Sequence, residues 1–123
     1  MSQTMLLKPE LKSMIWGGNK LGALYGLDIP TETTGEDWTL SAHPSGDCQI
    51  LNGPYQGETL SHVWKEHPEL FGDYPGDVFP LLAKIIDAKQ DLSIQCHPDD
   101  AYAKVHENGA LGKTECWYVL DAD

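Results

Sequence analysis

VFPLLAKIIDAKQDLSIQCHP, residues 78–98, decides the architecture. Val78 to Asp87 is apolar, rich in β-branched side chains and short for a helix, so it reads as a mostly buried strand. Ala88-Lys89-Gln90 then turns the chain into Leu92 to His97, a second strand stopped by Pro98, which has no N–H to give to a ladder.

Working outward, Asp99 to Glu107 predicts a short helix closed by Asn108-Gly109, and Cys116 to Leu120 predicts a third strand. Upstream, Leu60, Val63, Trp64 and His67 recur at i, i+3, i+4 and i+7, the spacing of one helical face. Thr59 is placed to cap that helix, and Gly72 follows its end. Asp73-Tyr74-Pro75-Gly76-Asp77 is a turn, as are His43-Pro44-Ser45-Gly46 and Asn52-Gly53-Pro54. Trp38-Thr39-Leu40-Ser41 reads as a strand entered from the Gly35-Glu36 turn, and residues 1–30 are short apolar stretches broken by glycines. Twelve glycines and eight prolines, scattered along the chain, favour short strands and turns over long helices. The expectation is a mainly β fold, an antiparallel sandwich or barrel rather than a doubly wound sheet.

A chain of 123 residues with 41% apolar content can bury one core. Its net charge of -11 repels phosphate backbones and excludes a general nucleic-acid surface, so a phosphorylated ligand needs locally placed cations. Cys48, Cys96 and Cys116 form no CxxC pair and read as reduced thiols of a cytoplasmic protein. The opening residues contain too short an apolar run for a signal peptide, and no stretch is long enough to span a membrane.

Strand parity gathers the residues that could carry chemistry. In Ser93-Ile94-Gln95-Cys96-His97 the period of two puts Ser93, Gln95 and His97 on one face, and in Lys113-Thr114-Glu115-Cys116-Trp117 it groups Lys113, Glu115 and Trp117. If the two strands are neighbours, imidazole, amide and carboxylate converge, a donor set that suits a borderline cation such as Zn²⁺. Taken as residues only, a hydrogen-bonded polar pair and a solvated carboxylate explain the same pattern. Lys84 reads equally as a lysine that blunts a strand edge or as a phosphate contact. His43 and His67, each before a proline, read as turn residues, and His106 as a solvated loop residue. Trp16 and Trp38 read as packing residues. Cys96 and Cys116 face away from the candidate ligands by parity.

LSIQCHPDDAYA followed by GKTECWYVL resembles the metal-binding signature of the type I mannose-6-phosphate isomerases. The likeness extends through FPLLAKIIDA, NGPYQGETL, GEDWTLSAHPSG and IWGGNKL, so it covers almost the whole chain. It implies a zinc-dependent isomerase that interconverts mannose 6-phosphate and fructose 6-phosphate on a cupin-type jelly roll. It implies Gln95, His97 and Glu115 as zinc ligands, Lys113 beside the metal in the sugar pocket as electrostatic or relay group, and Lys84 and Ser93 near the substrate phosphate. The family's further histidine ligand and an arginine have no counterpart in residues 1–123, which are expected to form the amino-terminal part of the catalytic cupin domain. On that expectation the isolated chain is inactive and self-associates through the uncovered strand Trp117-Tyr118-Val119-Leu120. The competing reading is a non-catalytic cupin module that binds metal and a sugar with the same residues. FPLLAKIIDA and GEDWTLSAHPSG favour the enzyme, since a generic module has no use for them.

Overall fold

In the computed structural model, which describes residues 4–122, the stretch Thr34–Leu40 forms the centre of a three-stranded sheet. The chain divides into two units, Met1–Leu92 and Ser93–Asp123. In chain order the first contains β1 (Leu7–Lys8), β2 (Glu10–Ser13), α1 (Lys20–Tyr25), β3 (Thr34–Leu40), β4 (Ala42–His43), β5 (Gly46–Asp47), β6 (Gln49–Ile50), α2 (Leu60–Glu66) and β7 (Ala83–Ile86). The second contains α3 (Asp100–His106). Every strand pairing among the described residues is antiparallel, so the mainly β, antiparallel class expected from the sequence holds.

The sheet order β2-β3-β7 and its register sort the side chains of the centre strand. Lys12 lies opposite Glu36, and both Glu10 and Lys84 lie opposite Trp38. Directly paired residues share a face, so one side of the sheet carries Lys12, Glu36, Trp38 and Lys84. The other side carries Leu11, Asp37 and Ile85, whose register places the carboxylate between two aliphatic side chains.

The helix expected around Leu60 is α2, and it buries Leu60, Val63 and Trp64, while His67, the fourth residue of the expected face, is its half-buried C-cap. Thr59 caps it by accepting a bond from the His62 N–H at 3.4 Å. A 3₁₀ turn, Pro68–Phe71, follows and ends at Gly72 in the left-handed region, φ 68°. Trp64 meets Phe71 and Phe79 edge to face, with centroids 5.0 and 5.2 Å apart. The core is completed by Leu21, Cys48 and Ile50.

Three expectations need correction. The buried strand over Val78 to Asp87 is only Ala83–Ile86: Pro80 cannot donate to a ladder, Val78, Leu81 and Leu82 are exposed, and β7 is an edge strand with half-buried residues. Leu92 to His97 and Cys116 to Leu120 carry no ladder among the described residues, and Ile94 is fully exposed. β propensity describes side chains suited to a half-buried pleat, and neither segment finds a sheet to join within its unit. In the first 30 residues the helix α1 was not anticipated; it buries Leu21 and closes on Gly26 at φ 66°.

Candidate metal centre

The candidate centre lies in the second unit and is assembled by one excursion of the chain. After His97 and Pro98, the Asp99 carboxylate accepts the Tyr102 N–H at 2.8 Å and starts α3. Asn108 and Gly109, with φ of 53° and 83°, reverse the chain beyond the helix. The return leg is fastened where the Lys113 N–H donates to the Pro98 carbonyl at 3.1 Å.

That return brings Glu115 onto His97. His97 Nε2 and Glu115 Oε2 are 2.6 Å apart, and Lys113 Nζ is 3.3 Å from the same oxygen. Burial pushes the Glu115 carboxyl up, but hydrogen bonds from His97, Lys113 and Trp117 and the charge of Lys113 outweigh it and hold the group below the usual glutamate range. The carboxylate is thus anionic at neutral pH, with a lysine beside it.

Of the imidazole, amide and carboxylate that parity would gather, the structure brings together the His97 imidazole and the Glu115 carboxylate, with Lys113 on that carboxylate, although the strands themselves are absent. Ser93 and Gln95 share a side as well, but Gln95 Nε2 bonds to Ser93 Oγ at 3.3 Å rather than to His97 or Glu115. Cys96 and Cys116 are exposed free thiols. Among the described residues no three His, Cys, Asp or Glu side chains cluster as a metal site. The donor set nevertheless fits a zinc ion in part. An imidazole nitrogen and a carboxylate oxygen face each other with a proton between them, and the Gln95 amide lies two residues from the imidazole along the chain. A polar cleft of about 270 Å³ opens beside the pair, walled by His97 and Lys113 with Asp99, Asp100 and Thr114.

Lys84 belongs to the first unit, where its ammonium is already engaged. It pairs with Glu36 Oε2 at 3.1 Å and lies 4.6 Å from the Trp38 ring centroid. Lys12 approaches the same ring at 5.0 Å, and the Trp38 indole donates to Glu36 Oε2 at 2.6 Å. Glu36 was missed in the sequence, although a carboxylate two residues before a strand tryptophan shares its face. Trp16 is buried, with its carbonyl accepting from Lys89 and Gln90. His43, read as a turn residue, is the last residue of β4 and accepts the Ser45 N–H of the following turn through Nδ1. His106 ends α3 rather than lying in a loop, and it stacks on Tyr102 at 4.3 Å.

Comparison with known proteins follows the same residues. The family model for the phosphomannose isomerase type I catalytic domain matches residues 5–118. The chain is 55% identical over 121 residues to the probable mannose-6-phosphate isomerase GmuF of Bacillus subtilis, covering 98% of this chain and 38% of that protein. It is 54% identical to a mannose-6-phosphate isomerase of Streptococcus mutans, covering 39% of it. The crystal structure of the mannose 6-phosphate isomerase from Bacillus subtilis superimposes with a TM-score of 0.95 at 53% identity, over 97% of this chain and 38% of that one. A phosphomannose isomerase from Salmonella typhimurium gives a TM-score of 0.66 at 25% identity, over 82% of this chain and 27% of that one. The chain thus spans well under half the length of these relatives.

Proposed function

Since the chain belongs to the phosphomannose isomerase type I family, we propose that it supplies part of the active site of a zinc-dependent enzyme interconverting mannose 6-phosphate and fructose 6-phosphate. The observation that carries this reading is the contact of His97 with Glu115, with Lys113 on the same carboxylate oxygen. His97, Glu115 and Gln95 would hold the ion, Gln95 by turning its amide from Ser93. Bound there, zinc would supply Lewis acidity toward the sugar's carbonyl and hydroxyl oxygens.

The remaining chemistry belongs to the side chains. Aldose-ketose isomerisation moves a hydrogen between adjacent carbons through a cis-enediol, so negative charge develops on oxygen and must be stabilised. Lys113 carries a positive charge beside the Glu115 carboxylate and is suited to stabilise an oxyanion or relay its proton. A phosphate monoester carries roughly two negative charges near neutral pH. In a chain of net charge -11 it needs donors at close range, and the Lys84 ammonium and the Ser93 hydroxyl are each of the chemistry that could serve. A cupin-type jelly roll provides the scaffold in this reading. Reduced thiols at all three cysteines suit a cytoplasmic enzyme.

A coupled assay of fructose 6-phosphate formed from mannose 6-phosphate tests the proposal, run on the full-length protein with and without zinc chelation. Turnover that disappears on chelation and returns with Zn²⁺ supports it. Tight sugar phosphate binding without turnover would instead favour a non-catalytic module.

A further inference from the structure

Glu115 reaches His97, and Lys113 reaches the Glu115 carboxylate, only because the return leg after α3 enters in one register. Residues two apart on an extended segment share a side, so a slip of one residue would put Thr114 and Cys116 where Lys113 and Glu115 stand and remove the carboxylate from the imidazole. Two consecutive amides fix that register. The Lys113 N–H donates to the Pro98 carbonyl at 3.1 Å, and the Gly112 N–H donates to Asp100 Oδ1 at 2.8 Å. The first tether is backbone to backbone and carries no sequence choice. The second depends on one side chain.

The aspartates after Pro98 divide the work. Asp99 spends its carboxylate on the helix, accepting the Tyr102 N–H, while Asp100 turns away from the helix to the returning chain. Gly112 is required for close approach: a Cβ there would stand 2.5 Å from the Asp99 carbonyl carbon, 2.6 Å from the Asp100 nitrogen and 2.7 Å from the Pro98 oxygen. The two segments therefore touch backbone to backbone at this point, directly beside His97 on one leg and three residues from Glu115 on the other.

We propose that Asp100 is a positioning residue for the His97–Glu115 pair: with Gly112 it forms a clasp that sets the register in which Glu115, with Lys113 on its carboxylate, faces the imidazole. The inference deepens the metal reading of that pair, and its geometric part is testable without metal. Asparagine in place of Asp100 keeps a carbonyl acceptor for the Gly112 N–H, and alanine removes it. That difference separates the clasp from a general need for negative charge.

The test uses the isotopically labelled 123-residue chain and its Asp100→Ala, Asp100→Asn and Gly112→Ala variants. Metal-free NMR reads the nuclear Overhauser contacts between the His97 ring and Glu115, together with hydrogen exchange at the Gly112 amide. Zn²⁺ titration reads affinity. Asp100→Ala and Gly112→Ala should lose the His97–Glu115 contacts and weaken zinc binding roughly ten- to a hundredfold, the usual effect of removing an outer support of a metal ligand. Asp100→Asn should retain both. The Tyr102 amide, held by Asp99, shows whether α3 survives; if alanine at position 100 melts the helix, Gly112→Ala decides. His97–Glu115 contacts that persist unchanged in Asp100→Ala and Gly112→Ala would overturn the clasp, as would Asp100→Asn behaving like alanine. A wild-type chain that takes up no zinc while the contacts respond as described would count against the metal reading and leave the clasp supported.

Discussion

His97 Nε2 and Glu115 Oε2 meet at 2.6 Å across 18 residues of sequence, with Lys113 Nζ 3.3 Å from the same oxygen. A proton now joins two groups that would both be ligands of a cation. His97→Ala and Glu115→Ala should each lower zinc affinity at least tenfold, measured by competition with a chromophoric chelator. Cys116→Ser, altering an exposed thiol beside Glu115, should leave it unchanged. Loss of zinc in the serine variant would mean that the thiol, not the carboxylate, faces the ion.

The Lys84 ammonium stands between the Glu36 carboxylate and the Trp38 ring, so its position is set before any ligand arrives. Lys84→Ala should raise KM for mannose 6-phosphate in the full-length enzyme roughly ten- to a hundredfold, the loss of one charge-assisted contact, with a smaller change in kcat. Glu36→Gln keeps an acceptor for the Trp38 indole but releases the ammonium, so KM should rise less and Trp38 fluorescence should shift. An unchanged KM in Lys84→Ala would leave the lysine as a strand-edge residue whose charge only balances Glu36.

Gly17 is pressed against the chain entering β3: a Cβ there would overlap the Thr33 carbonyl oxygen and stand 2.6 Å from the Gly35 nitrogen. The same residue bridges to Ala88, just beyond β7. Gly17→Ala must therefore move backbone rather than a side-chain tip, and should cost about 1–3 kcal/mol. Urea unfolding of the 123-residue chain reads this as a lower midpoint with an unchanged slope. A midpoint equal to wild type would show that the two segments can separate freely.

What could be read in advance followed the local signals. The face Leu60, Val63, Trp64 and the Asp99 start of α3 are short-range patterns, and both appear as read. The pairing of His97 with Glu115 was legible because side-chain parity persists in any extended segment, even one without a ladder. The ladders themselves were not legible, since Leu92 to His97 has strand composition but pairing depends on a neighbour that composition does not name. α1 was hidden because Gly22 and Gly26 read as breaks. Gly26 is a C-cap, and a side chain at Gly22 would come within 3.2 Å of Ile29, so its absence permits close packing. Glu36 and Lys84 are 48 residues apart, and only the β3–β7 register makes them partners.

Asp37 offers a prediction about pH. It lies 3% exposed on the centre strand between Leu11 and Ile85, and its Oδ1 is buried without a hydrogen-bond partner. Burial raises its carboxyl above the ordinary value of 3.8. The fold therefore favours the protonated form, and the sign follows: relative to the unfolded chain, the group's contribution is most favourable below pH 3.8 and is lost as pH rises through the elevated folded value. At neutral pH the sheet carries a desolvated charge. Asp37→Asn keeps the shape and removes that charge, so it should stabilise the chain by about 1 kcal/mol at pH 7 to 8. Thermal or urea unfolding of both proteins from pH 8 down to pH 4 should show the advantage shrinking as the wild-type carboxyl takes up its proton. An advantage constant across that range would assign the effect to packing, and a destabilised Asn variant would mean that the ionised carboxylate is held by a favourable contact at its other oxygen.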